Sequence, residues 1–332
     1  MTTITPSGVR VRKVFTGRQQ YVPVLATLVL LVVMFAVGAA RYENFLSGQV
    51  ILNLFINNSF LLVVAIGMTF VILTGGIDLS VGAVVALSTM ITAELIQRQN
   101  WPTLLVFPVV ILICGLFGTG MGAIIHYFEI QPFIVTLAGM FLARGLCFVI
   151  DTESITIRDP LFRSIARERI SLGPGLSIST SVVIALLVLA LAIYLLHYSR
   201  LGRNVYAIGG NEQSALLMGL PVARTKIAVY TISGICSGLG GVLLAFYTRS
   251  GYSLNANGLE LDAIASVVIG GTLLTGGTGF VIGTVLGVLV NGVIQTIINF
   301  QGDLSSWWTR IVIGALLLAF ILLQRVVGTR KT

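Results

Sequence analysis

Asn291, Gln295 and Asn299 recur every fourth residue in an otherwise apolar stretch, with Thr284 seven residues further back on nearly the same helical face. Asn53 and Asn57 form a second pair at this spacing, beside Asn58 and Ser59. Rows of uncharged amides and hydroxyls exchange hydrogen bonds with a neutral polyol and raise no charge-desolvation barrier against it. The same rows equally serve hydrogen bonding between helices, and both readings stand at this level. Asp78 follows the glycine pair Gly75–Gly76 and precedes Ser80 and a new apolar run. An ionisable residue in such surroundings is a functional candidate, and this position also suits a carboxylate that accepts from free N–H groups at a helix start. The residues expected to line a passage are therefore Asn53, Asn57, Asp78, Ser80, Asn291, Gln295 and Asn299.

Other chemistries lack residues to carry them. Lys13, Lys226 and Lys331 follow no Gly-x-x-x-x-Gly pattern, so the sequence has no phosphate-cradling P-loop. No Ser/His/Asp or Cys/His set and no carboxylate pair at catalytic spacing stands out. Cys114, Cys147 and Cys236 lie singly inside apolar stretches, and His126 and His197 at the ends of such stretches, none at metal-ligand spacing. The expectation is a chain that is not an enzyme and holds no metal and no cofactor.

Composition sets the elements that must position these residues. Of 332 residues 56% are hydrophobic and 10% charged, with a mean hydropathy of +1.00. Soluble domains run near a quarter charged, so lipid is the solvent. A bilayer core about 30 Å thick takes about 20 apolar residues per helix, and such runs span 21–40, 50–73, 79–97, 103–125, 131–150, 178–198, 226–248, 279–299 and 307–327. A tenth, 261–274, is short and ends in glycines, as a broken or re-entrant helix does. The fold expected is all-α and polytopic, with about ten transmembrane helices, discontinuous at the glycine pairs.

The formal charge of +8 is scattered over the ends of apolar segments and forms no aromatic-interleaved groove for nucleic acid. Arg10, Arg12, Lys13 and Arg18 precede the first span; Arg200, Arg203, Arg224 and Lys226 share one loop; Arg325 lies at the end of the last span, and Arg330 and Lys331 follow it. The positive-inside rule makes all three regions cytoplasmic, and ten crossings satisfy them together. This divides the chain into a cytoplasmic tail 1–20, one transmembrane domain 21–327 with an outer loop 151–177 and a cytoplasmic loop 199–226, and a cytoplasmic tail 328–332. The first span has Gly38, Ala39 and Ala40 at its end, like a secretory signal, but its apolar run exceeds the usual signal core, so it is read as a retained anchor. Arg144, near the outer end of its span, is expected to snorkel and to have no transport role.

An internal echo links the two halves. Leu73-Thr74-Gly75-Gly76 followed by Gly82 recurs as Leu274-Thr275-Gly276-Gly277 followed by Gly283. Transporters are often built from repeats whose discontinuous helices meet near the substrate path. With ten crossings both copies lie toward the cytoplasmic side in a parallel repeat; nine would invert it. Thr278 is expected to cap the helix after the second break as Asp78 does after the first. Gly279, Gly283 and Gly287, and Ser233, Ser237 and Gly241, are spaced for close helix approach. In the basic loop, Asn211 is placed to cap a short helix through Glu212, Ala215 and Leu216, stopped by Gly219 and Pro221.

Four stretches in order carry a family resemblance: Gly75-Gly76-Ile77-Asp78-Leu79-Ser80-Val81-Gly82, Gln131-Pro132-Phe133-Ile134-Val135-Thr136-Leu137, Tyr206-Ala207-Ile208-Gly209-Gly210-Asn211, and Leu261-Asp262-Ala263-Ile264-Ala265-Ser266-Val267-Val268-Ile269-Gly270-Gly271. Over about residues 45–325 the chain resembles the permeases of ribose-type sugar ABC importers. From Gly271 to Thr309 it is most similar to a permease of the galactofuranose importers. The resemblance implies the permease subunit of a bacterial inner-membrane importer for a ribose- or galactofuranose-like monosaccharide. It also implies a separate ABC ATPase docked on the Asn211–Gly219 helix, a second permease subunit as homo- or heterodimer, and a periplasmic sugar-binding protein. The alternative, an ion-coupled secondary transporter of a small polar solute, would rely on Asp78.

Overall fold

Backbone polar groups have no water to turn to inside a bilayer, so each segment closes its own hydrogen bonds as a helix. The computed structural model describes residues 21–302 and 307–329. Arg10, Arg12, Lys13, Arg18, Ser305, Ser306, Arg330 and Lys331 lie outside the described residues, as do the side chains from 325 onward. The helices are α1 (Val22–Arg41), α2 (Gly48–Leu73), α3 (Val81–Ala93, continued by a π-helical turn Glu94–Arg98), α4 (Thr103–Tyr127), α5 (Pro132–Ile150), α6 (Pro160–Arg167), α7 (Thr180–Tyr198), α8 (Arg200–Gly210), α9 (Glu212–Leu217), α10 (Val222–Thr248), α11 (Leu259–Ile269), α12 (Val281–Gln301) and α13 (Trp307–Thr329). Strands β1 (Ile155–Thr156) and β4 (Ser250–Gly251) pair antiparallel, as do β2 (Arg169–Gly173) and β3 (Leu176–Ser179).

Among the described residues nine helices are long and apolar enough to cross a membrane, and contacts set their directions. α2 begins beside Leu176 of β3 and ends against Gly209 of α8. α12 runs antiparallel to it, with Thr284 bonded to Thr69 and Gly292 against Asn58. One end of the bundle therefore carries the 151–179 loop, and the other, the basic end, carries α8 and α9 with Arg200, Arg203, Arg224 and Lys226.

The tenth traverse is α11. Arg249, left-handed at φ 55°, closes α10, and the chain then folds back into the bundle. Gly251 lies against Thr89, whereas Glu260 lies against Gly82, seven residues or about 10 Å deeper along α3. α11 runs antiparallel to α12, with Ser266 and Gly270 on Gly287 and Gly283, and stops at Gly270–Gly271. Pro23 of α1 meets Gly271 and the Gln324 amide of α13 donates to the Val268 carbonyl, so the first and last described spans share the basic end. Gly279, expected in one row with Gly283 and Gly287, instead precedes α12 in extended backbone and packs on Thr272. α2, α3, α10 and α12 are mostly covered by other helices, while α1, α4, α5, α7 and α13 turn most of their surface outward.

Arg144 does not snorkel. Its guanidinium turns inward and donates to the Ser253 and Asn255 carbonyls at 2.5 and 2.9 Å, and Arg310 donates to the Asn257 carbonyl at 3.1 Å, so two cations hold the folded-back segment. Snorkelling would leave those carbonyls without partners, which is the costlier arrangement. Arg144→Ala is expected to cost about 3 kcal/mol and Arg144→Lys about half of that. The thermal midpoint in detergent reads this out, and equal midpoints for wild type and Arg144→Ala would return the residue to the interface.

Candidate functional site

The two glycine breaks meet at the basic end. Gly75, Gly276 and Gly277 are left-handed at φ 81°, 80° and 75°, conformations that side chains with a Cβ rarely adopt. The Gly277 N–H donates to the Leu73 carbonyl at 2.9 Å, and a Cβ on Gly276 would stand 2.7 Å from the Gly75 nitrogen. The hairpins α2–α3 and α11–α12 are thus arranged as a parallel repeat with their turns in contact.

Asp78, 1% exposed, fastens the first turn. Its Oδ1 accepts from the Ser80 N–H (3.0 Å) and hydroxyl (2.6 Å), and its Oδ2 accepts from the Ser233 hydroxyl of α10 at 2.7 Å. Among the described residues no basic side chain pairs with it. The carboxylate is held by three donors at the start of α3, where the helix dipole also favours negative charge. Asp78 and Ser80 therefore face the interior between α3 and α10, not an open passage. In the second copy Gly279 stands at the position of Asp78, Thr278 makes no capping bond, and α12 starts at Phe280 without a side-chain cap.

The amide rows sit in the opposite half. Asn53 lies 20 residues before Leu73, about 30 Å along α2. Because α2 and α12 are antiparallel, Asn53, Asn57, Gln295 and Asn299 share the half nearer the 151–179 loop. Asn53, Asn57 and Asn299 are exposed, Gln295 is half-buried and Asn291 is buried. The Gln295 amide donates to Asn291 Oδ1 at 3.1 Å, leaving the Asn291 amide nitrogen without a partner among the described residues, while Thr284 bonds across to Thr69 at 2.7 Å. The row thus changes role along its length, from interhelical bonding at Thr284 to open amides at Asn299. Asn58, which shares the Asn53–Asn57 segment, turns inward and donates to the Leu54 carbonyl.

A residue that the spacing did not single out organises the mouth of this half. The Gln49 amide accepts from the Ser177 N–H (2.9 Å) and donates to the Ser177 carbonyl (3.1 Å) and to Asn53 Oδ1 (2.9 Å), standing in for a strand at the edge of β3. A cavity of about 510 Å³ opens here between Gln49, Asn53, Arg169, Ser171 and Ser177. Across the same end, the Glu153 N–H and the paired Arg98 hold the Asp151 carboxyl below its usual range. In a background with Cys114, Cys147 and Cys236 replaced, cysteines at positions 53, 57 and 299 are expected to react rapidly with a small aqueous thiol reagent, and one at 291 slowly. Equal inertness at all four would leave only a packing role.

At the basic end Asn211 Oδ1 accepts from the Ser214 N–H at 2.7 Å and starts α9, and Gly219, at φ 74°, ends it. Ala215 points inward onto Ile208 and Val222. It anchors the helix and cannot belong to an outward docking face. Leu216, Leu217 and Met218 do face outward, Leu217 at 88% exposure. Glu212 pairs with Lys226 of the same chain at 2.6 Å, so its carboxylate already has a basic partner. One turn upstream, Gly209 of α8 lies directly on the two glycine breaks, against the Leu73 carbonyl and the Gly277 nitrogen.

The family described as branched-chain amino acid transport system / permease component matches residues 50–321. The chain is 45% identical over 303 residues to the inner membrane ABC transporter permease protein YjfF of Escherichia coli, covering 91% of this chain and 92% of the relative. It is 41% identical to the fructose import permease protein FruG of Bifidobacterium longum, covering 98% of each, and 38% identical to the ribose import permease protein RbsC of Haemophilus influenzae, covering 92% and 94%. No solved structure matches the chain.

Proposed function

Given that the chain belongs to the branched-chain amino acid transport system / permease component family, in the branch of ribose-type sugar ABC importer permeases, we propose that it carries a neutral monosaccharide across the bacterial inner membrane on ATP hydrolysed by a separate subunit. The observation that carries the reading is the outward apolar edge of α9. Leu216, Leu217 and Met218 project from a capped helix in the basic loop, and exposed apolar side chains grouped this way mark a docking surface. In this reading the basic end is cytoplasmic, an ABC ATPase covers α9, and a sugar-binding protein delivers solute to the mouth beside Gln49. A second permease subunit faces the polar flank of α2 and α12 across the passage, since exposed Asn57 and Asn299 are unsuited to lipid.

Two of the named relatives are a fructose and a ribose import permease, which supports a sugar as cargo; a galactofuranose-like sugar is the narrower proposal. Amides at Asn53, Asn57, Gln295 and Asn299 match such a solute, offering hydrogen bonds without charge. The test is reconstitution in liposomes, alone and with candidate ATPase, permease and binding-protein partners, using labelled D-ribose, D-fructose and galactofuranose. Accumulation only with ATP and the full set is expected. Accumulation by the chain alone under a proton or sodium gradient would replace this reading with ion-coupled transport.

A further inference from the structure

We propose that Gly209 and Tyr206 of α8 are positioning residues that make both broken hairpins, α2–α3 and α11–α12, move as one unit with the docking helix α9. The inference rests on the docking reading above and adds the path beyond it. α8 and α9 share Asn211 without a linker: its N–H closes the last turn of α8 on the Ala207 carbonyl at 3.1 Å, and its side chain caps α9. A displacement of α9 is therefore a displacement of the end of α8.

That end sits on both breaks at once. A Cβ on Gly209 would overlap the Leu73 carbonyl and stand 2.5 Å from the Gly277 nitrogen, the two groups that are hydrogen-bonded to each other. A Cβ on Gly277 would stand 2.8 Å from the Gly210 nitrogen. Backbones of α2, α8 and the turn before α12 thus touch with no side chain between them. No rotamer change can absorb a shift there, and close-packed contacts of this kind switch as a block. The Tyr206 hydroxyl adds a tie to the second hairpin alone, donating to the Gly279 carbonyl at 2.8 Å. Gly210 is the built-in control, since a Cβ there meets nothing within 4 Å.

The experiment uses the assembled complex with its ATPase, in a background without native cysteines, carrying either Thr74→Cys or Thr278→Cys as a reporter on one break. Both positions are half-buried. Reactivity toward a small methanethiosulfonate reagent is compared between the nucleotide-free and the ATP–vanadate states. Both reporters are expected to change by at least about threefold between states. Gly209→Ala should abolish the change at both while the complex still co-purifies, Gly210→Ala should preserve it, and Tyr206→Phe should weaken it at position 278 more than at position 74. A parent in which only one reporter responds, or neither, overturns the proposal, as does a Gly209→Ala complex that keeps both responses. If Gly209→Ala does not assemble, Tyr206→Phe decides, and an intact response at position 278 overturns the path. Loss of both the ATPase and the response in a Leu217→Asp, Met218→Asp variant, together with a normal response in Gly209→Ala, would keep the docking reading and remove this inference; a double variant that still assembles and responds normally would remove the docking reading itself.

Discussion

Asp78→Ala is expected to destabilise the permease by about 3–5 kcal/mol and to abolish uptake, because the change strips three buried donors of one shared acceptor. The Ser80 N–H, the Ser80 hydroxyl and the Ser233 hydroxyl all end on this carboxylate, and the site is closed to water that might replace it. Since α3 begins here and Ser233 belongs to α10, the damage spreads to the contact between two interior helices. Asp78→Asn is the informative partner. Its oxygen still accepts from Ser80 and its amide donates to the Ser233 oxygen, so the turn survives at a cost of about 1–2 kcal/mol. Thermal midpoints in detergent and uptake in liposomes read both variants. Uptake by Asp78→Asn within about tenfold of wild type fits a structural carboxylate, whereas a well-folded Asp78→Asn protein without uptake would mean that the ionised group itself serves transport.

The combined change Leu217→Asp and Met218→Asp should leave the permease folded and remove the ATPase from it. Both side chains face outward, so the isolated chain loses little. Burying a side chain of this size against a partner contributes about 1.5–3 kcal/mol. Losing two weakens the complex by about 10²–10⁴-fold at 1.4 kcal/mol per decade, before counting the carboxylates forced into an apolar contact. Co-purification and solute-stimulated hydrolysis are the measurements, and a complex that persists at wild-type yield would move the docking surface elsewhere. Ala215→Asp is expected to behave differently, weakening the α8–α9 unit itself because Ala215 packs on Ile208 and Val222. Glu212→Lys breaks only an exposed pair with Lys226, a contact of about 0–1 kcal/mol, and should be the mildest of the three.

How much of this was legible in the sequence differs from residue to residue. The short span at 261–274 could be assigned as a broken traverse because its length and terminal glycines both limit a helix, and α11 does stop at Gly270–Gly271. The echo around Gly75–Gly76 and Gly276–Gly277 was legible because left-handed backbone favours glycine at Gly75, Gly276 and Gly277, and close packing on the Tyr230 hydroxyl excludes a Cβ at Gly76. Arg144 was not legible. A long cationic side chain near a helix end suits the interface and a buried carbonyl cluster equally well, and only the folded-back segment 249–258 supplies the carbonyls. Gln49 was equally silent, since one glutamine at a helix start carries no spacing signal until β3 lies beside it.

The sequence by itself determined the solvent, the helical fold, the traverses, the caps at Asn211 and Gly219 and the family. Each follows from local composition or from a backbone conformation that few residues tolerate. Tertiary structure alone decided which side of each helix meets protein, and therefore that Ala215 anchors while Leu217 and Met218 face out, that Thr284 bonds to Thr69 while Asn299 stays open, and that Asp78 is enclosed by hydroxyls. The reason is that hydrocarbon and the protein interior are both apolar. Periodicity shows which residues share a face, but the identity of what covers that face depends on helices distant in the chain.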